Sequence, residues 1–241
     1  MAITQNWKDT VNSGINDARW DEYDELIEKE VNGLNLRLTG TPQFGKLDWL
    51  LIKSMLWTES GGPDNASWKK RVMQIGNPGD PAYQVMKDGK EGSTLIMDSA
   101  LQNDLKTLID KPEVNIRAAI AYLYTRLAKF EIQSIPDPKD AKIYEYEVKS
   151  GDNLSVIASK HGTTLDDLQS RNPAAKVMIK PGQKLKYRKA KMGMVIVGWR
   201  TITTAEIASR YNGGGDPDYG SKLDYILKDV FPKLKRSLKS N

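Results

Sequence analysis

The stretch Leu47 to Gly61, LDWLLIKSMLWTESG, constrains this chain more than any other. Leu47, Leu50, Leu51, Ile52, Met55 and Leu56 recur at helical spacing, which predicts a mostly buried helix. Glu59 lies four residues beyond Met55, on the same face and in the last turn, and Gly61 and Gly62 stop the helix. One carboxyl is thus held at the end of an apolar helix, with Trp57 nearby. Such surroundings disfavour the charged form and raise a carboxyl pKa, which is what a general acid needs near neutral pH. Taken alone, a Glu-Ser pair matches by chance, and a surface glutamate at a frayed helix end is its ordinary reading.

Composition bounds the rest. A chain of 241 residues permits one or two domains with a sizeable core. It has no run of eighteen apolar residues, so no membrane span is expected. The start, MAITQNWKDTVNSG, lacks a charged segment followed by an apolar one, so no secretory signal peptide is expected. There is no cysteine, hence no disulfide framework and no preferred redox compartment. The formal charge of +5 favours anionic partners such as nucleic acid or a bacterial cell wall, but charge alone does not choose between them.

Residues 1–15 show no clear periodicity and read as loosely ordered. Trp20, Tyr23, Ile27, Val31 and Leu34 step by three or four, predicting an amphipathic helix, and Thr39 to Gly45 is a loop. Gly61 to Pro81, rich in Gly, Pro, Asp and Asn, reads as a long loop of the kind that often carries function. Asp64 and Asp80 lie in it. Either could be a second carboxylate near Glu59, although shaping turns is the commoner task for Asp there. One helix is expected over Ser93 to Ile109, with Leu95, Leu101, Leu105 and Leu108 inward, and another over Val114 to Phe130. Ser134 to Asp140 is a linker by composition. Tyr144, Tyr146 and Val148 then alternate with charges, as in a strand. Short helices follow from Asn153 to Lys160 and from Thr164, where Asp167 completes a capping box. A second strand ends near Tyr187. Met192 to Trp199 is apolar and β-prone. Thr203 and Glu206 form another capping box, which makes Glu206 a cap rather than a catalyst. A final helix spans Tyr219 to Leu234, and the basic tail Lys233 to Lys239 reads as solvated.

Five fragments stand in a telling order: Glu59-Ser60-Gly61; Met73-Gln74-Ile75; Asn115-Ile116-Arg117-Ala118-Ala119-Ile120-Ala121-Tyr122-Leu123; Tyr211-Asn212-Gly213-Gly214; and Tyr219-Gly220-Ser221-Lys222-Leu223. The series resembles the soluble lytic transglycosylase and goose-type lysozyme superfamily. Arg71-Val72 departs from that family's Gly-Leu before Met-Gln, Ala119 from its Gly, and Arg210 from its Ala before Tyr-Asn. These departures bear on cleft shape, not on the identity of the acid. Residues 144–187, YEVKSGDNLSVIASKHGTTLDDLQSRNPAAKVMIKPGQKLKY apart from the leading Tyr-Glu, look like a LysM domain, with Asn153 where that family usually has Thr.

The resemblances imply a mainly α, lysozyme-like catalytic domain in two parts, residues 1–140 and 190–241, interrupted by a small βααβ LysM domain at 141–189. A domain whose termini lie side by side can replace a loop at little cost. They further imply that Glu59 is the catalytic acid for the β-1,4 bond between N-acetylmuramic acid and N-acetylglucosamine. Ser60, Gln74, Tyr122, Tyr211, Asn212 and Tyr219 would line the cleft. The LysM groove would lie between Gly151, Asp152, Asn153, Leu154 and Ile179, Lys180, Pro181, Gly182. His161, the only histidine, reads as structural, and no metal or cofactor is implied. The expected partner is the peptidoglycan strand rather than nucleic acid, bound by a monomer. Such a substrate lies outside the cytoplasmic membrane. Delivery by a secretion machine, as an antibacterial effector with a periplasmic immunity protein, or by lysis, as a phage endolysin, is therefore expected. A wall-binding protein without catalysis is the rival from another class.

Overall fold

A computed structural model describes residues 2–234 of the chain; most of the basic tail at Lys233 to Lys239 falls outside them. The chain divides into two compact units, residues 1–130 with 196–241, and residues 131–195.

The first unit is helical. α1 (Gln5–Ser13) is a regular helix where the sequence predicted loose order, because the Thr4 hydroxyl accepts the Trp7 amide and supplies its start. A 3-10 turn at Ala18–Asp21 leads into α2 (Asp24–Leu38). α3 (Trp49–Ser60) begins where Asp48 accepts the Leu50 amide and ends at Gly61, in the left-handed region at φ 68°. Its buried residues include Leu51, Ile52, Met55, Leu56 and Trp57, so it runs through the core as predicted. Lys53 is also buried there, its ammonium donating to Asp21 at 2.7 Å and Asp24 at 2.6 Å. Those carboxylates anchor the start of α2 to α3. Gly62, at φ 98°, passes so close over Trp20 that an added Cβ would sit 2.2 Å from the indole. The chain therefore turns sharply just after Glu59.

The loop from Gly61 extends to Asp80, close to its expected end. It contains a 3-10 turn at Ala66–Lys69 and gives way to α4 (Pro81–Lys87), which Asp80 caps through the Ala82 amide with Pro81 at the first helical position. The single helix predicted over Ser93 to Ile109 is two, α5 (Ser93–Ile96) and α6 (Ser99–Leu108). They break at Met97, and Asp98 caps the second. Leu101 and Leu105 are buried, whereas the break turns Leu95 and Leu108 outward. α7 (Pro112–Leu127) is almost wholly buried.

β1 (Ala128–Pro136) replaces both the predicted end of that helix and the start of the linker. Its pairing with β4 (Ala190–Trp199) is a long-range interaction that local composition does not reveal. The boundaries between the two units fall inside these two strands. In the second unit, β2 (Tyr144–Glu147) pairs antiparallel with β3 (Lys184–Tyr187), Tyr144 opposite Tyr187. Between them lie α8 (Leu154–His161), capped by Asn153 and closed by Gly162, and α9 (Leu165–Arg171), capped by Thr164. Val148, Ile157, Ala158, Leu168, Ala175, Leu185 and Tyr187 form a core of their own. The Asp167 carboxylate does not complete a capping box; it accepts from the Arg188 amide and from Arg171. The first unit closes with α10 (Thr204–Ile207), a π-helical turn at Ala208–Asn212, and α11 (Tyr219–Tyr225). The last helix is not continuous to Leu234 but widens into a π turn at Ile226–Val230.

Candidate functional site

Glu59 occupies the last turn of α3, partly buried, and its Oε1 accepts a hydrogen bond from the Tyr219 hydroxyl at 2.7 Å. Burial pushes its carboxyl up, the Tyr219 hydrogen bond pulls it back in part, and nearby Asp216 raises it again, leaving a pKa of about 7. At neutral pH the group therefore holds and releases a proton with comparable ease. Tyr219 sits at the start of α11 and is 1% exposed; burial raises its own phenol well above the ordinary value, so it stays a neutral donor. The same holds for Tyr211, whose hydroxyl donates to the Met73 carbonyl at 2.9 Å and whose ring meets Tyr122 edge-on at 5.8 Å.

Among the described residues, Gln74 is one of three non-glycine residues with positive φ, at 58°. Such a backbone is costly unless held by its neighbours. Here Asn115, fully buried on α7, grips both sides of it. Its Oδ1 accepts the Met73 amide at 2.8 Å and its Nδ2 donates to the Ile75 carbonyl at 2.7 Å. Asp80 adds a third hold by accepting the Gly76 amide at 2.7 Å. Asn115 was visible in the sequence only as part of a motif. Its role depends on a partner some forty residues away, which no local pattern carries.

The other predicted residues divide. Ser60 is buried, its hydroxyl donating to the Leu56 carbonyl and accepting the Gly62 amide, so it closes the helix. Asn212 accepts the Asp216 amide and shapes the loop before α11. Asp64 lies at the surface, its side chain 84% exposed and paired with Arg19. Thr203 caps the Glu206 amide, but the Glu206 carboxylate joins Arg210 at 2.8 Å and does not complete the expected capping box. Asp216 was not singled out by sequence. Burial pushes it up, but Lys222 at 2.6 Å and the Asp218 amide outweigh that and hold it below the ordinary value.

In the second unit, the two predicted loops are joined through Val148, whose amide donates to the Gln183 carbonyl at 2.9 Å and whose carbonyl accepts the Gly182 amide at 2.8 Å. Gly151 and Gly182 both have positive φ, at 87° and 81°. The Asp152 carboxylate accepts the Lys149 amide at 2.7 Å and the Tyr146 hydroxyl at 2.8 Å, which hold it below its ordinary pKa. Asn153 caps α8, Leu154 and Ile179 pack on the small core, and the Lys180 amide donates to the Gln183 side chain. Pro181 follows directly, before Gly182. His161 lies against Tyr146 with ring centres 4.4 Å apart.

Residues 146–187 match the LysM domain family. This segment is also similar to part of the N-acetylmuramoyl-L-alanine amidase sle1 of Staphylococcus saprophyticus, 56% identical over 41 residues, which is 17% of this chain and 12% of that protein. The corresponding amidase of Staphylococcus aureus strain USA300 is 54% identical over 41 residues, with the same coverage. The chain therefore spans about an eighth of the length of these curated relatives, and the likeness is confined to the LysM domain. No solved structure matches the chain. Among the described residues, no helix is long and apolar enough to cross a membrane.

Proposed function

We propose that this protein cleaves the glycan strand of peptidoglycan, with Glu59 as the general acid and the LysM domain, residues 141–189 by the sequence reading, as an inserted wall-binding module. The observation that carries the proposal is the Glu59 carboxyl at the end of α3, hydrogen-bonded by Tyr219 and poised at about 7. The ordered motif series supports a lysozyme-like helical domain, and the LysM likeness supports binding to chains of N-acetylglucosamine and N-acetylmuramic acid.

Glu59 donates its proton to the glycosidic oxygen as that bond breaks. Positive charge develops at C1 of the muramyl sugar. The muramyl 6-hydroxyl then attacks C1 and returns a proton to the Glu59 carboxylate, giving a 1,6-anhydro end with no water consumed. The substrate's acetamido group can stabilise the intermediate state, as in other substrate-assisted glycosidases. This route suits the carboxylates at hand: Asp64 is paired with Arg19, Asp80 caps α4 and holds the Gly76 amide, and Asp216 is paired with Lys222. A hydrolytic route would require one of them to leave its partners and activate water. Tyr219 and Tyr211, as neutral donors, fix the acid and the Met73 loop; Gln74, Tyr122 and Asn212 complete the cleft in this reading.

Digestion of purified sacculi followed by mass spectrometry tests the proposal, because anhydro and reducing ends differ by one water. Sacculi that are bound but release no fragments would overturn the enzyme and leave a wall-binding protein. For delivery, we favour an antibacterial effector over an endolysin, on the combination of the inserted LysM with the Leu-Asp-Trp and Met-Gln-Ile-Gly-Asn-Pro segments. Cytoplasmic expression should then be harmless, whereas an added signal peptide should cause lysis that a co-expressed periplasmic immunity protein prevents.

A further inference from the structure

We propose that a cationic groove beside Gln74 binds the carboxylates of the peptide stem that a muramyl sugar carries. The inference rests on the Glu59 site being the glycan site. The groove has a volume of about 710 Å³ and runs from the 3-10 turn at Ala66–Lys69, past Gln74, to the start of α7. That volume is in the range of sites that hold a small ligand.

One bond ties this groove to the residue after the candidate acid, and a second ties its neighbouring backbone to Tyr211. Ser67, on its wall, donates from its hydroxyl to the carbonyl of Ser60, the residue after Glu59, at 3.1 Å. Gln74, also on its wall, follows Met73, which receives the Tyr211 hydroxyl. The Asn115 clamp holds that stretch of backbone fixed.

The charge on the walls is one-sided. Lys69, Lys70, Arg71 and Lys111 line the groove with Asp110 as the opposing carboxylate. Arg71 is paired with Asp110, and Lys69 with Glu22. Lys70 and Lys111 are exposed and have no carboxylate partner among the described residues. Two hydrated, flexible ammonium groups attract carboxylates without demanding one geometry. The sugar rings of a glycan strand offer only hydroxyl and acetamido groups. The lactyl branch of muramic acid leads instead to a short peptide with free carboxylates, and that branch is what these lysines suit.

The test is titration of the full chain with a disaccharide-tetrapeptide from peptidoglycan and with the same disaccharide lacking its peptide, its lactyl carboxyl capped as the amide. Wild type is compared with Lys70→Gln/Lys111→Gln, and with Lys87→Gln/Lys106→Gln as a control for net charge. The peptide-bearing fragment should bind about tenfold more tightly to wild type, as two exposed ion pairs allow. The groove variant should lose most of that preference and its salt dependence, and the control should keep both. Equal affinity for the two fragments, or a preference that survives the groove substitutions, would overturn the proposal. So would tighter binding of a glycerol-phosphate oligomer at the same lysines, since a phosphate polymer would then be the ligand. If peptide-dependent binding follows the lysines while wild type releases no wall fragments, the groove stands and the glycosidase reading alone falls.

Discussion

Each unit of this protein holds a carboxylate that accepts a hydrogen bond from a tyrosine hydroxyl: Glu59 from Tyr219 at 2.7 Å in the helical unit, and Asp152 from Tyr146 at 2.8 Å in the LysM unit. The bonds are alike, yet the two acids move in opposite directions. At Asp152 burial counts for less than the Lys149 amide and the Tyr146 phenol, which hold it below the ordinary value. At Glu59 the cost of burying a charge, with nearby Asp216 added, outweighs one donor and lifts it to about 7. Solvent, not the local hydrogen bond, decides which carboxyl can deliver a proton at neutral pH. The same donor pattern builds a structural turn in one unit and a candidate acid in the other.

The largest break in this comparison comes from removing the proton itself. Glu59→Gln keeps a side chain that can still accept from Tyr219, and should cost about 10²–10⁴-fold or more in wall cleavage. Asp152→Asn should leave turnover of small soluble fragments near wild type. In wild type the acid-dependent activity should fall as pH rises through about 7, where Glu59 loses its proton. Release of soluble muropeptides against pH measures both; near-normal turnover by Glu59→Gln would remove it from the mechanism.

Next in size is the loss of an asparagine clamp, which both units also share. Asn115 grips the backbone on either side of Gln74, and Asn172 grips Lys186 through its amide at 2.9 Å and carbonyl at 2.7 Å. Asn115 is fully buried, so Asn115→Ala strands backbone groups away from water and should cost about 3 kcal/mol. Asn172 is half-exposed, water can replace its bonds, and Asn172→Ala should cost about 1 kcal/mol. Denaturant unfolding of the full chain orders the two; equal costs would mean that burial does not separate the units in this way.

That contrast also explains what the sequence could reveal. The LysM elements were legible because each signal is local: Asn153 and Thr164 cap their helices, and Gly162 ends α8. α3 was legible for the same reason, from its apolar run to Gly61. The Asp80-Pro81 and Asp98-Ser99 helix starts are local signals too, but the first lies in a stretch rich in turn formers and the second inside a longer apolar pattern that masks it. β1 and the Asn115 clamp depend on partners far along the chain, and periodicity has no access to those. Asp216 belongs with them, since its influence on Glu59 exists only once α11 packs against α3.

A third effect is on stability. The Glu59 pKa of about 7 exceeds the ordinary 4.5, so the native state keeps a proton that the unfolded chain releases between those values. The stabilisation this brings is complete below pH 4.5 and is lost as pH rises through about 7. Glutamine carries no such dependence. The stability of Glu59→Gln relative to wild type should therefore grow by about 2 kcal/mol from pH 4 to pH 8, allowing for partial solvent access. Thermal unfolding of the pair across that range measures the difference. A constant offset would mean that Glu59 titrates normally and is no neutral-pH acid.

The smallest effect is the sharpest test of the comparison. Tyr219→Phe and Tyr146→Phe each delete one hydroxyl donor to a carboxylate and little else. A donor favours the charged form, so both carboxyls should move upward when it goes. Asp152 should move back toward its ordinary value and stay ionised at neutral pH, still held by the Lys149 amide. Glu59 should move further above about 7, so its activity limb should shift to higher pH while the rate at low pH falls only through poorer positioning. Carboxyl carbon-13 titration reads both sites directly, and the pH profile of cleavage reads Glu59 again. A Glu59 that moved downward in Tyr219→Phe would mean that the vacated space had filled with water. Burial, rather than the hydrogen bond, would then depend on that tyrosine.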